Sequence, residues 1–232
     1  MDVGQGANGA VAQCLLFRCQ VVQACDSRQH RQRSTELGKI VISTNVTLDG
    51  VVQDPDGQEG FELGGWFHQF VGARDLEDWT ANETEEALGA EALLLGRRSF
   101  EWFASRAPAM GVRVSRKWAD RMNSLPKYVV SSTLAHPQWS NTTVLDGDAA
   151  QEVSELKRKV EGQILVYGSY QLVRTLMEQN LADELRLVVF PVVLGTGLRI
   201  FDETSKKKRL HLVNTRRIGD GLVLHGYEFV QG

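Results

Sequence analysis

From Gly38 onward, short apolar segments alternate with amphipathic ones along the chain. The apolar runs predict β-strands over 39–45, 91–95, 127–131, 142–145, 163–167 and 184–194. Between them, apolar residues recur at helical spacing and predict helices near 83–90, 98–104, 115–123, 149–161 and 169–179. This alternation is typical of helices packed on both faces of a mainly parallel sheet, and so predicts an α/β fold.

The pattern changes near the C-terminus. Leu210 and Leu212, and then Leu222 and Leu224, alternate with polar positions around an Asp220-Gly221 turn, which predicts an antiparallel hairpin. Neither a linker nor a repeat interrupts the chain after Gly38. We therefore predict one domain over 38–232 with a mixed sheet.

Residues 1–37 differ in composition, being rich in Gln and Gly, and we predict a poorly ordered leader there. The segment does not have the basic start and apolar stretch of a secretory signal. All three cysteines, Cys14, Cys19 and Cys25, lie in it, so the predicted domain holds no disulfide or thiolate metal site. This cysteine usage favours a reducing, cytoplasmic location and gives no metal centre.

The overall composition excludes several partner classes. Of 232 residues, 42% are hydrophobic and 24% charged, as in ordinary globular domains. A net charge of −3 leaves no excess of cations for nucleic acid. The longest apolar run, 187–194, is interrupted by Pro191 and is too short to cross a membrane. A small-molecule substrate is the remaining expectation.

Residues 50–82 show no clear periodicity but contain Trp66, Phe67, Phe70 and Trp79. A long segment of this kind in a compact domain is usually a functional loop or a disordered one, and its aromatic content argues against disorder. Two interpretations remain open. The rings cover a planar heterocyclic ligand, with Trp66 and Phe67 as substrate-binding candidates, or they form a satellite hydrophobic cluster under the loop.

Signatures of zinc deaminases, zincins, serine hydrolases and P-loop ATPases are absent from the sequence. Two strand-to-helix junctions carry possible chemistry instead: Gly96-Arg97-Arg98-Ser99 and Gly168-Ser169. In each, glycine lets a ligand approach the backbone, and the helix start offers free N–H groups to an anion. The arginines and the serine suit a ribose phosphate or pyrophosphate, although ordinary turns remain the alternative.

Six short motifs occur in one order along the chain: Leu48-Asp49-Gly50, Leu95-Gly96-Arg97-Arg98-Ser99, Lys127-Tyr128-Val129-Val130-Ser131-Ser132, Val166-Tyr167-Gly168-Ser169, Leu181-Ala182-Asp183-Glu184-Leu185 and Pro191-Val192-Val193-Leu194-Gly195. With these motifs, residues 39–229 resemble the dihydrofolate-reductase-like fold. The resemblance is specifically to the C-terminal reductase domain of the bacterial riboflavin-biosynthesis bifunctional deaminase-reductase and to its stand-alone relatives.

The resemblance implies NADPH as cofactor and a place for each candidate residue. Gly96, Arg97, Arg98 and Ser99 are expected beside its phosphates, Ser131 and Ser132 near the adenosine, and Gly168 and Ser169 at the pyrophosphate. Asp49 is expected beside the nicotinamide and the substrate. We predict that Asp49 is catalytic, since a carboxyl group partly withdrawn from water keeps its proton at higher pH. A structural turn residue is the alternative.

The resemblance further implies reduction of a small heterocyclic or imine/carbonyl substrate, similar to the 5-amino-6-(5-phosphoribosylamino)uracil reductase reaction. Two departures qualify this. Residues 1–37 are too short for the deaminase half and do not carry its zinc ligands, and Arg74 is the only Lys or Arg between 50 and 82, which disfavours a phosphorylated pyrimidine. The alternative function is a catalytically silent NADP-binding or oligomeric module. A homodimer through 184–194 and the hairpin is expected from the resemblance, although an internal core explains both segments equally well.

Overall fold

The computed structural model describes residues 37–109, 115–201 and 207–230. The predicted leader and its three cysteines lie outside these ranges except for Leu37, so the leader stays a prediction. The strands are β1 (Lys39–Thr47), β2 (Ala90–Gly96), β3 (Lys127–Val130), β4 (Thr142–Leu145), β5 (Gln163–Tyr167), β6 (Glu184–Phe190), β7 (Leu210–Ile218) and β8 (Leu222–Phe229). The helices are α1 (Trp66–Gln69), α2 (Ala73–Gly89), α3 (Arg97–Arg106), α4 (Arg116–Ser124), α5 (Ala149–Lys159) and α6 (Tyr170–Glu178), and a 3-10 turn covers Ala107–Ala109.

The eight strands form one sheet in the order β4-β3-β2-β5-β1-β6-β8-β7. The strands from β4 to β6 are parallel, whereas β8 pairs antiparallel with both β6 and β7. The predicted mixed sheet with a C-terminal antiparallel hairpin is therefore confirmed.

Two predicted boundaries were wrong. The strand predicted over 184–194 ends at Phe190, because Pro191 has no N–H to donate to a neighbouring strand. The helix predicted near 83–90 begins ten residues earlier, at Ala73. Its buried face carries Asp75, Asn82 and Glu83, among others, so the apolar periodicity that predicts a helix is missing.

Helices cover both faces of the sheet. The face under α5 and α6 is a single apolar cluster that includes Ile42, Leu94 and Val166. The opposite face, under α2, α3 and α4, holds two apolar clusters, one around Leu95 and the other around Phe190. The strands β2 and β5 are neighbours, but α3 follows β2 on one face of the sheet and α6 follows β5 on the other. After these two strands the chain therefore turns toward opposite faces.

The β2–β5 pair is also the point where the strand order reverses. After β2 the chain continues outward to β3 and β4, whereas after β5 it crosses β1 to reach β6. In open parallel sheets, ligands bind at such a reversal, beyond the carboxyl ends of the strands. We call the side where the parallel strands end the carboxyl edge.

The strand β6 has both of its edges paired within the chain, to β1 and to β8. Residues 184–190 and the hairpin thus form an internal sheet, and the homodimer stays a prediction. Across the described ranges, no helix combines the length and the apolar character that crossing a bilayer requires.

Candidate functional site

The two glycine-led junctions meet at the carboxyl edge. The Gly96 N–H donates to the Ser169 hydroxyl oxygen over 3.0 Å, and the Ser169 N–H donates to the Ser99 hydroxyl oxygen over 2.8 Å. These hydrogen bonds connect residues that are 73 and 70 positions apart in the sequence, and they join the start of α3 to the start of α6. The predicted convergence of the two junctions is present in the structure.

The second junction requires its unusual backbone. Gly168 and Ser169 both have φ near +55°, in the left-handed region. A Cβ on Gly168 would lie 3.1 Å from the Ser99 hydroxyl, so only glycine fits without a shift. Ser169 offsets its own strain with its hydroxyl, which donates to the Tyr167 carbonyl while accepting from Gly96.

Both helix starts at this junction lack a side-chain cap. Neither Gly96, the N-cap of α3, nor Ser169, the N-cap of α6, accepts a first-turn N–H with its own side chain. The first N–H groups of a helix have no partner within the helix and favour an anion. Two helix N-termini without side-chain caps, from opposite faces of the sheet, therefore lie side by side at the carboxyl edge.

Arg97 is directed toward the loop after β3. Its Nε donates to the Glu101 carboxylate over 2.8 Å and its Nη1 donates to the Thr133 hydroxyl over 2.6 Å. In that loop the Ser131 hydroxyl accepts the N–H groups of Thr133 and Leu134, and Ser132 is exposed. Ser131 thus shapes the loop, and the Arg97 guanidinium lies against it.

Arg98 is directed the other way, toward the start of α6 and the loop after β1. Its Nη1 donates to the Tyr170 hydroxyl over 3.2 Å, and its Nη2 lies 3.5 Å from the Glu59 carboxylate. The sequence grouped Arg97 and Arg98 as one phosphate-binding pair. The structure separates them along the carboxyl edge.

Asp49 lies on the neighbouring strand end and joins two loops. Its carboxylate accepts the Thr47 hydroxyl over 2.7 Å and the N–H groups of Leu194 and Gly195 over 3.2 and 2.8 Å. The Asp49 carboxylate thus joins two of the six sequence motifs, the one at 48–50 and the one at 191–195. Asp49 is half-buried, with a side-chain exposed fraction of 19%.

The expected raised pKa of Asp49 was wrong. Burial does raise the pKa, but the hydrogen bonds from Thr47, Gly195 and Leu194 together outweigh it and lower the pKa to about 2. Asp49 is therefore a carboxylate at neutral pH and holds no proton to donate. Its participation in catalysis stays a prediction, in a positioning role.

Arg199 is a site residue that the sequence did not reveal. Val51 and Arg199 form an antiparallel bridge, which brings the Arg199 Nη2 within 3.5 Å of the Asp49 carboxylate and its Nε within 3.0 Å of the Asp49 carbonyl. Counting basic residues only within 50–82 missed this cation. Gly197 was the available signal: a Cβ there would lie 2.8 Å from a methyl group of Val51, so this turn can lie against Val51 only with glycine at this position.

The predicted substrate residues Trp66 and Phe67 are buried. Trp66 has no exposed surface, donates its indole N–H to the Gln53 carbonyl, and packs edge-on against Phe190. Phe67 is 8% exposed and packs against Trp79 and Phe190. This placement favours the satellite-cluster interpretation, and substrate contact by either ring stays a prediction.

The loop between β1 and α1 is anchored by Asp54, which is 1% exposed. Its carboxylate accepts the N–H groups of Glu59 and Phe61 over 2.9 and 3.0 Å. From there the loop reaches α3, where Asp56 accepts the Trp102 indole N–H over 2.8 Å. We call residues 54–65, in the loop between β1 and α1, the strap, because Asp56 attaches this segment to α3 beside the junction.

Other potential sites are few. Within the described ranges, no group of three or more His, Cys, Asp or Glu side chains is arranged to hold a metal. An open groove of about 540 Å³ lies between α2 and α4, lined by Thr80, Thr84, Leu88 and Lys117 among others, away from the carboxyl edge. The groove is lined by no glycine, and the helix N-terminus in it, that of α4 at Ser115, is capped by the Ser115 side chain, which accepts the Trp118 N–H.

The strand order, the parallel strands and the antiparallel C-terminal hairpin define a dihydrofolate-reductase-like fold. The same fold occurs in a riboflavin biosynthesis protein from Shewanella sp. PV-4, with a TM-score of 0.63, 17% identity, and coverage of 83% of this chain and 99% of that one. Residues 38–224 match the RibD C-terminal domain family. The chain belongs to that family, as the sequence motifs indicated.

Two relatives from Bacillus subtilis strain 168 are similar over 187 residues. The uncharacterized protein YyaP is 28% identical, covering 80% of this chain and 92% of its own. The uncharacterized protein YwjB is 26% identical, covering 81% of this chain and 96% of its own.

A deaminase/5-amino-6-(5-phosphoribosylamino)uracil reductase from Thermotoga maritima has the same fold, with a TM-score of 0.54 at 15% identity. The match covers 84% of this chain and 57% of the bifunctional one. Family and fold indicate an oxidoreductase-type domain.

Proposed function

We propose that the protein is an NADPH-dependent reductase of a small heterocyclic or imine/carbonyl substrate, similar to the uracil-derivative reductase of riboflavin biosynthesis. The observation that carries this proposal is the direct hydrogen bonding between the Gly96–Ser99 and Gly168–Ser169 junctions, at the point where the strand order reverses. Membership of the RibD C-terminal domain family supports it.

The residues at the carboxyl edge fit a dinucleotide. The candidate positions follow four neighbouring strands, β3, β2, β5 and β1, which at about 4.8 Å per strand spacing extend over about 14 Å. The uncapped helix starts after Gly96 and Ser169 would hold the pyrophosphate. Arg97 and the loop at Ser131 and Ser132 would hold the adenosine 2′-phosphate, since a planar guanidinium binds phosphate through two parallel hydrogen bonds.

NADPH, when bound, supplies the hydride, so the protein has to orient cofactor and substrate. Asp49 contributes by fixing the 194–195 loop and Arg199 beside the end of β1. With its pKa at about 2, it positions these groups as a carboxylate. The proton that completes the reduction then comes from solvent.

Cofactor binding tests the phosphate assignment. NADPH and NADH are titrated calorimetrically into the wild type, Arg97→Gln and the control Arg158→Gln, an exposed arginine on α5. Loss of a charge-assisted contact to the 2′-phosphate should weaken NADPH binding in Arg97→Gln about 10- to 100-fold and change NADH binding less than about twofold. Equal weakening of both cofactors would reject this role for Arg97.

Turnover tests the reductase. NADPH oxidation is followed with pyrimidine, pterin and flavin-precursor substrates. Asp49→Asn should lower the rate, while the wild-type rate shows no ionisation of Asp49 above about pH 4, because its pKa is about 2. An inflection near neutral pH that disappears in Asp49→Asn would instead assign Asp49 as the proton donor.

One observation favours a second function, a cofactor-binding module without turnover. The Asp49 carboxylate is ionised and engaged by Thr47, Leu194 and Gly195, so this position offers no acid. Stoichiometric NADPH binding without oxidation by any substrate of the panel would favour the module.

A further inference from the structure

The Glu59 carboxylate contacts Arg98, which lies beside the proposed phosphate site. Its Oε2 lies 3.5 Å from the Arg98 Nη2, and the two side chains are 38% and 64% exposed. An ion pair this open to solvent is screened by water and salt and contributes little net stability. The contact is therefore easily exchanged for a stronger one.

The backbone of Glu59 is nevertheless held firmly. Its N–H donates to the buried Asp54 carboxylate, as does that of Phe61. Asp54 itself adopts φ +47° and its carbonyl accepts the N–H groups of Gly57 and Gly65. The strap backbone thus presents the half-exposed Glu59 side chain to Arg98.

A second attachment keeps the strap on α3 without Glu59. The Asp56 carboxylate accepts the Trp102 indole N–H over 2.8 Å and lies 3.6 Å from the Arg106 guanidinium. Release of Arg98 by Glu59 therefore does not require the strap to leave α3.

We propose that Glu59 is a competing anion that lowers the affinity of the junction for phosphate-bearing ligands. Without ligand, its carboxylate neutralises Arg98. The pyrophosphate of a dinucleotide as a whole carries more charge and more acceptor oxygens than a carboxylate, binds the guanidinium more strongly, and displaces Glu59. When the ligand dissociates, Glu59 recovers Arg98, which favours release. This inference rests on the proposed function for the identity of the ligand as NADPH.

The test is a set of NADPH titrations with matched variants. Glu59→Gln keeps the size of the side chain and removes its charge, so it should tighten NADPH binding about 2- to 5-fold. Glu62→Gln, which removes an exposed charge from the same strap, should change the affinity less than about 1.5-fold. In an Arg98→Gln background, Glu59→Gln should have no effect, because the arginine it competes for is gone.

Two results would overturn the inference while leaving the proposed function intact. One is a Glu59→Gln affinity no higher than that of Glu62→Gln. The other is a gain that persists undiminished with Arg98→Gln, which would indicate a general field effect.

Inorganic pyrophosphate, titrated into the same proteins, separates the two proposals. If none of them binds NADPH but pyrophosphate shows the predicted ranking, the cofactor assignment fails and the competition by Glu59 stands. If the wild type and all variants bind neither anion, both proposals are rejected.

Discussion

The two faces of the sheet are buried by different means. The face under α5 and α6 is covered by one continuous apolar cluster. On the opposite face, two apolar clusters are accompanied by buried polar side chains of α2 and the strands beneath it: Ser43, Asp75, Asn82, Glu83, Glu86 and Glu184. The first face is buried by apolar side chains, whereas the second also buries polar and acidic side chains.

The polar groups under α2 are only partly satisfied. Glu86 lies 3.6 Å from Arg186, which makes a closer contact with Glu184 at 2.6 Å, and both Glu86 oxygens lack a hydrogen bond. Burial raises the pKa of Glu83 well above its ordinary value, and the nearby charge of Glu86 raises it further. Buried charges of this kind cost desolvation free energy that their partners repay incompletely. Burial of these acidic side chains under α2 therefore lowers the stability of the folded protein, whereas the apolar face carries no such cost.

The largest effect is expected on the apolar face. Leu94 is fully buried there, so Leu94→Ala should leave a cavity and lower the free energy of unfolding by about 2–5 kcal/mol in denaturant titrations. The control is Leu88→Ala, at a position 43% exposed on α2, which should change it by less than about 0.5 kcal/mol. Similar values for the two would contradict a continuous core under α5 and α6.

The next largest effect is an increase in the free energy of unfolding, expected for a substitution at Glu83 on the buried face of α2. The folded protein holds a proton on Glu83 at pH values above 4.5 where the unfolded chain has lost it, so stability falls as pH rises from 4.5 toward the raised pKa. Glu83→Gln removes this ionisation and should raise the free energy of unfolding at pH 8 by about 1–3 kcal/mol.

The matched control for that change is Glu85→Gln, two residues further along α2, at a side chain 84% exposed. It should leave the pH dependence of unfolding unchanged. If Glu83→Gln is destabilising at pH 8 as well as at pH 5, the carboxylate is needed and the two faces differ less than we infer.

Asp75 is the stabilising charge on the same helix. Its carboxylate accepts the Gly72, Asp220 and Gly221 N–H groups, and these bonds, the Gly72 bond first, lower its pKa below 3.8 despite burial. Its contribution is therefore present above pH 3.8 and is lost as pH falls through the lowered pKa. Asp75→Asn should cost about 0.5–2 kcal/mol at pH 7, and the loss should shrink at pH 2.

The smallest effect concerns the bond that connects helices from the two faces. Ser99→Ala removes the acceptor of the Ser169 N–H and should lower stability by about 0.5–1.5 kcal/mol. Ser105→Ala, also on α3, is the control and should stay within about 0.5 kcal/mol. Thermal unfolding measures both. A silent Ser99→Ala would mean that water replaces the hydroxyl.

The apolar face is also the part that the sequence predicts well. The β4 and β5 boundaries match, and α5 begins at Ala149 as predicted, directly after Asp148, whose carboxylate accepts the Gln151 N–H. In contrast, the first ten residues of α2 were missed, since Asp75 and Asn82 face inward where a stripe of apolar residues was expected.

The site divides in the same way. Glycines before helices predicted the Gly96 and Gly168 junctions, because that chemistry is local. The partners of Asp49 and Arg98 were not predictable, since the Asp49 contact with Leu194 spans 145 residues and the Glu59 contact depends on how the strap folds around Asp54. The ionisation of Asp49 was misjudged partly for the same reason: besides the nearby Thr47 hydroxyl, the Leu194 and Gly195 N–H groups that hold it as a carboxylate come from a distant loop.

The central place of β1 has a consequence for biosynthesis. Its two neighbours lie far along the chain, since Lys39 pairs with Gln163 and Val41 with Glu184, so β1, the first strand of the described residues, leaves the ribosome long before either of its edges can be paired. Unpaired edges of apolar strands recruit other chains. C-terminal truncations that remove β5 and β6 should therefore produce insoluble aggregates rather than a smaller folded protein, and the nascent chain depends on delayed long-range pairing.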